Sequence, residues 1–189
     1  NSNVSYGKMF ANQRLNGEPI TADYAKARAR WEPVAETTQI KGDSEAHPAL
    51  SPDDEFADFE TYNFVMLPSG PRSKPDEADY VRSGLKRGLE IQSNVGANPY
   101  KYGMIGSTDA HTGMPAVEET NFGGKGQHDS SPELRKNPTG LGSAKGWDMA
   151  AAGYAAVWAT ENTRQGIVDA IKRKEVYATT GSRIAVRLF

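Results

Sequence analysis

Cysteine is absent from the 189 residues, which excludes disulfides, thiolate ligands and a cysteine nucleophile; any metal would be held by imidazole, carboxylate and water. Long apolar runs are missing as well. None approaches the ~20 residues of a membrane span, and the N-terminus lacks the charged, apolar, small-residue order of a signal peptide, so a soluble chain with no membrane partner is expected. Nor is charge of one sign gathered anywhere. The 24 acidic and 22 basic residues form no long block, which leaves no electrostatic footprint for nucleic acid and points to a small-molecule substrate instead. Hydrophobic residues make up only 37%, so polar connecting segments should be extensive and a compact helical bundle is not expected. The length suits one domain or part of one. Asn1 in place of Met, and a strand-like segment from Arg183 to Phe189 that stops without a turn, are what a piece of a longer chain would show.

Along the chain, Thr21 is a capping residue before the helix formers of Ala22 to Trp31, and Glu32-Pro33 ends that helix. Val34 to Ile40 mixes small, β-branched and polar residues and predicts a short strand. A polar excursion rich in Gly, Pro, Ser and Asp follows from Lys41 to Pro75. Pro75 then sits as a first helical residue, with Ala78, Val81, Leu85 and Leu89 at helical spacing to about Ser93. Tyr102 to Gly106 predicts a buried strand whose C-terminal end opens onto a pocket. After a second polar excursion, Thr112 to Gly146, the segment Ala150 to Ala159 predicts a helix or strand against the core. Asn162 with Gln165 resembles a capping box for a helix bearing Ile167, Val168 and Ile171. Strands at Val176 to Thr179 and Ile184 to Phe189 complete an alternation that predicts an α/β domain with parallel strands presenting their C-terminal ends to a ligand.

The sharpest chemical feature is Gly106-Ser107-Thr108-Asp109-Ala110-His111. In extended backbone, residues two apart share a face, so the Asp109 carboxylate and His111 imidazole can converge on one cation after a buried strand. The plainer alternative makes Asp109 a turn cap and His111 an ordinary loop residue. Glu36 lies inside a predicted strand; facing inward it needs a metal or cationic partner, facing outward it is an edge residue. Asp43, Glu45 and His47 alternate and could gather, or be solvated turn formers. His128, among Gln127, Asp129 and two serines, reads as solvated. Gly123-Gly124-Lys125-Gly126 suggests a phosphate cradle only weakly, because it lacks P-loop spacing and no strand runs into it. Trp31, Trp147 and Trp158 read as packing residues, with no interleaved basic stripe for bases. No nucleophile-elbow pattern supports Ser/His/Asp catalysis.

Ile105 to His111 resembles the late Asp-x-His motif of the polymerase and histidinol phosphatase (PHP) superfamily. More closely, Asn1-Ser2-Asn3 with Met9-Phe10, Ile40 to Pro48, and Glu175 to Ile184 resemble a PHP-like family classed only as a domain of unknown function. The resemblance runs from Asn1 to Phe189 with the motifs in order. It implies the C-terminal portion of one PHP-like domain, part of a distorted (β/α)7-type barrel with long polar excursions. It also implies divalent metal ions, zinc, manganese or iron, activating a water that hydrolyses a phosphoester or similar bond of a small, anionic substrate.

By the same resemblance Asp109, His111 and Glu36 are metal ligands, while Glu45, His47 and Arg183 belong to the catalytic motif or contact the anion. Arg183 reads equally as a surface arginine at a turn. The His-x-His of a PHP first strand is not in this chain, so the resemblance makes the remaining N-terminal part of the same protein a partner. Exported or periplasmic location is implied only by the resemblance. A non-catalytic ligand- or partner-binding domain, using residues 41 to 75 and 112 to 146, is the alternative function.

Overall fold

The computed structural model describes residues 2–62, 64–65, 70–71, 74–113, 124–137, 144–149 and 153–187. Helix α1, Ala22–Trp31, begins where Thr21 accepts a hydrogen bond from the Tyr24 N–H at 3.3 Å. Strand β1, Val34–Gln39, follows after Pro33, and a turn through Gly42, whose φ is +85°, folds the chain back into β2, Gly42–Asp43. Two further short strands, β3 (Phe64–Val65) and β4 (Gly70–Pro71), pair antiparallel with each other. Helix α2 spans Val81–Val95 and returns the chain to β5, Gly103–Gly106. Strand β6 (Gly153–Val157), helix α3 (Arg164–Arg173) and strand β7 (Val176–Thr180) end the order.

Strand β1 lies between β2, antiparallel, and β5, parallel. Its register against β5 pairs Val34 with Gly103 and Glu36 with Ile105, then shifts so that Thr38 faces Gly106. The antiparallel pair of β6 and β7, joined through α3, packs alongside. Glycine is required there: a Cβ on Gly106 would stand 2.8 Å from the carbonyl oxygens of both Thr179 and Tyr154. Beyond β5, the Ser107 N–H donates to Thr38 O at 3.0 Å, and Gly153 N–H donates to Ser107 O at 2.9 Å. These bonds align the C-terminal ends of β1 and β5 with the start of β6.

The core beneath α1 and α2 comprises Phe10, Ile20, Ala25, Ala78, Val81, Ile91 and Tyr100. Phe10 meets Tyr100 edge-on at 5.7 Å, a geometry favoured by the ring quadrupoles. No helix among the described residues is long and apolar enough to cross a membrane.

Several expectations need correction. The described residues form three α-helices, one three-stranded sheet and two two-stranded sheets, and they close no part of a (β/α)7-type barrel. A barrel propagates by adding parallel strands edge to edge. Here β1 and β5 are the one parallel pair among the described strands, and antiparallel β2 already occupies the other edge of β1. Pro75 does not open α2: Asp76 caps a separate 3-10 turn at Glu77–Asp79, and the α-helix starts at Val81. Leu89 is exposed, and the buried face is instead Val81, Gly84, Gly88 and Ile91. Thr163, rather than Asn162, caps α3 by accepting from Gly166 N–H at 3.0 Å. Residues 183–187 carry no regular strand, and 188–189 lie outside the described residues.

Candidate functional site

Beyond the C-terminal ends of β1 and β5, three segments meet at one carboxylate. Asp109 follows β5 in the left-handed region, with φ +49°, a conformation that Asp tolerates better than most residues. This turns its side chain back toward the strand ends. Asp109 Oδ1 lies 3.2 Å from His111 Nε2. Its Oδ2 accepts from Lys125 Nζ at 2.6 Å and also contacts Lys41 Nζ. Lys125 Nζ further donates to Asp109 O at 3.1 Å and lies 3.3 Å from His111 Nε2. Asp109 and His111 thus stand together, but through the left-handed Asp109 rather than the extended backbone expected, and with two lysines beside them.

Both lysine side chains are sequestered: Lys41 is 2% exposed and Lys125 4%. Local structure puts them there. Lys41 sits in the turn from β1 to β2, its N–H donating to Gln39 Oε1 at 2.9 Å and its carbonyl accepting from Asn3 Nδ2 at 2.8 Å. Lys125 is held by Asp129, whose carboxylate accepts from the N–H groups of Lys125 and Gly126 at 3.1 and 2.8 Å. The backbone bond from His111 N–H to Lys125 O, 2.6 Å, ties that turn to the Asp109 loop.

Burial disfavours the charged amine, and the positive charge of Lys125 adds to this, bringing Lys41 down to about 7 against the pull of Glu36. Burial lowers Lys125 too. The Lys125 charge, with lesser contributions from burial and Lys41, depresses His111, which favours neutral imidazole at neutral pH. Glu36, on β1, accepts from Ser107 Oγ at 2.5 Å. Its charge is felt by both lysines. At the same strand ends, the buried atoms Thr38 Oγ1, Gln39 Nε2 and Thr179 Oγ1 have no hydrogen-bond partner among the described residues.

The other expected site residues are placed differently. Glu45 is exposed and pairs with Arg82 at 2.7 Å. His47 Nδ1 accepts from Ala49 N–H at 3.1 Å, and its ring meets Tyr80 at 5.5 Å. The Arg183 guanidinium lies over the Tyr154 ring, 5.2 Å from its centroid. His128 is exposed. The sequence alone gives Lys41 no role, and Lys125 only the weak suggestion of a phosphate cradle. The one signal for Lys125 was its glycine-rich setting, and for Lys41 its position just after a predicted strand.

The family model described as protein of unknown function, DUF3604, matches residues 1–189. The chain belongs to this family. No curated protein and no solved structure matches it. Within this DUF3604 chain, Asp109 and His111 are a carboxylate and an imidazole, donor types that divalent ions take, and both lie against lysine ammonium groups. Glu36 adds a third donor facing the same lysines. Among the described residues, however, no three His, Asp or Glu side chains stand together closely enough to hold an ion. The described residues therefore offer two donor types of a metal centre and do not make up one.

Proposed function

We propose that this chain forms part of a metal-dependent hydrolase of PHP type, acting on phosphoesters or closely related anionic esters. One observation carries the reading: a carboxylate and an imidazole two residues apart meet at 3.2 Å beside two buried ammonium groups. Asp109 and His111 would hold a divalent ion, zinc, manganese or iron, with Glu36 nearby and the remaining ligands coming from the N-terminal part of the same protein. Such an ion supplies Lewis acidity and lowers the pKa of bound water.

The chain's own residues position and balance the site. Ser107 fixes one oxygen of Glu36 by hydrogen bonding. Asp129 organises the turn that delivers Lys125, and the His111–Lys125 backbone bond holds the two loops in register. His111, with 66% of its side chain exposed, forms the solvent side of the cluster and marks the approach for a small substrate.

The test is elemental analysis of the full-length protein after incubation with each metal, beside hydrolysis of an aryl phosphate. The expected result is stoichiometric metal, with both metal and hydrolysis lost in the Asp109→Asn, His111→Ala double variant. A loss of several kcal/mol of transition-state stabilisation corresponds to at least about 100-fold in rate. Unchanged metal content and unchanged hydrolysis in a folded double variant would overturn the assignment.

A further inference from the structure

We infer that Lys41 and Lys125 together form an oxyanion-holding subsite, taking a tetrahedral anionic group of the phosphate class between their ammonium groups. The inference rests on the hydrolase reading for its place in a reaction, and on the lysine geometry alone for its chemistry.

The donor inventory is the starting point. An ammonium carries three N–H donors. Lys41 Nζ has one acceptor among the described residues, Asp109 Oδ2, and shares it with Lys125. Lys125 also uses Asp109 O and approaches His111 Nε2. Buried polar groups are ordinarily satisfied, and among the described residues a 2% exposed ammonium with one shared acceptor is short of oxygen atoms. A tetrahedral oxyanion presents several oxygens in a small volume and can accept from both amines at once. Lysine serves well in that role as a compact point charge.

Charge points the same way once all neighbours are counted. Lys41 and Lys125 face Asp109 directly, with Glu36 acting on both and Asp129 on Lys125. The Glu36 and Asp129 carboxylates already accept from Ser107 Oγ and from backbone N–H groups respectively. Asp109 is thus the one carboxylate among the described residues in contact with both ammonium groups. It is 17% exposed and lies next to the exposed His111 ring, so its Oδ2 occupies the position that an incoming anion's oxygen would take. Asp109 and the anion compete for the same donors.

That competition gives the test a direction that simple loss of structure does not mimic. Inorganic phosphate binding to the full-length, chelator-treated protein is measured by titration calorimetry, with acetate as the planar comparison. Lys41→Met and Lys125→Met should each weaken phosphate binding by about tenfold or more, as expected for loss of a charge-assisted hydrogen bond. Asp109→Asn should tighten it by a similar factor. Should Lys41→Met fail to fold, Lys125→Met and Asp109→Asn decide the matter. Phosphate binding that is equal across wild type, Lys125→Met and Asp109→Asn, or no stronger than acetate binding, overturns the subsite. Lysine-dependent phosphate binding without metal-dependent hydrolysis would keep the subsite and reject the hydrolase reading; metal-dependent hydrolysis with KM unchanged in Lys125→Met would do the reverse.

Discussion

Two segments of this chain carry the same short pattern, a carboxylate two residues before a histidine, and fold it to opposite ends. In Asp109-Ala110-His111 the two side chains meet at 3.2 Å, and two buried lysines close on the carboxylate. In Glu45-Ala46-His47 they part: Glu45 goes to Arg82, and His47 to the Ala49 N–H and the Tyr80 ring. The second segment serves the helix behind it. The Ser44 and Glu45 carbonyls accept from the Val81 and Arg82 N–H groups at 2.9 and 3.0 Å, satisfying donors that the first turn of α2 leaves open. Asp43 completes the turn by accepting from the Glu45 and Ala46 N–H groups at 2.7 and 3.2 Å. Spacing allows convergence, and the backbone decides it. The left-handed Asp109 folds its side chain onto the strand ends, whereas the 43–47 turn is committed to capping.

The strongest way to break the comparison is to remove each carboxylate and measure stability. Asp109→Ala leaves two buried ammonium groups facing each other without their shared partner, and breaking a buried ion pair in this way costs about 3–5 kcal/mol. Urea denaturation of the full-length protein should show a loss of that order. A loss below about 1 kcal/mol would mean that solvent or another carboxylate already compensates the lysines, and the contrast between the two segments would collapse.

The sequence made some of this legible for identifiable reasons. Thr21, β1 and β5 follow from local signals, a hydroxyl cap and β-branched and apolar runs, whereas the Asp109–His111 contact comes from the left-handed backbone at Asp109, which the spacing alone does not announce. The two lysines did not follow, because nothing local distinguishes a buried lysine from a solvated one. Lys41 and Lys125 are 84 positions apart in number and become neighbours only through the β1–β5 pairing and the Asp129 turn. Helix α2 shows a different blindness. Its contact face uses Gly84 and Gly88, where a Cβ would stand 2.7 Å from the Phe10 ring and 2.3 Å from Asn98 Oδ1, so apolar counting favoured Leu89 instead. The barrel expectation came from resemblance. Strand order is a long-range property, and the antiparallel β2 at the edge of β1 could not be read from two residues, Gly42 and Asp43.

A pH titration sharpens the comparison at an intermediate size. Burial pushes the Asp43 carboxyl up to about 6, with Glu45 adding to the rise, while two backbone N–H groups and Arg82 oppose it. Because the folded value lies above the ordinary 3.8, the associated stability is fully present below the unfolded value and is lost as pH rises through about 6. At 1.36 kcal/mol per unit the change is up to about 3 kcal/mol. The stability difference between wild type and Asp43→Asn should therefore shift toward the variant between pH 4 and pH 7. A difference that stays flat across that window sinks the argument.

The smallest effect is the most discriminating for function. Glu45 and Arg82 are 48% and 35% exposed, and Arg82 retains Asp54 at 2.6 Å when Glu45 is removed. An exposed pair of this kind contributes below about 1 kcal/mol, so Glu45→Ala should leave the melting temperature within a few degrees. The resemblance would give Glu45 a catalytic role, whereas its contacts make it a partner of α2. Aryl phosphate hydrolysis separates the two: if Glu45 acts through capping and surface pairing, Glu45→Ala changes kcat less than about tenfold, below the ~10–100-fold lost when a residue supporting a metal ligand is removed. A fall comparable to that of the Asp109, His111 double variant, with the fold intact, would move Glu45 into the reacting centre and require the 43–47 turn to open in the full-length protein. The side chain would have to leave Arg82 to get there, so the same variant should then also abolish any dependence of kcat on Arg82→Ala.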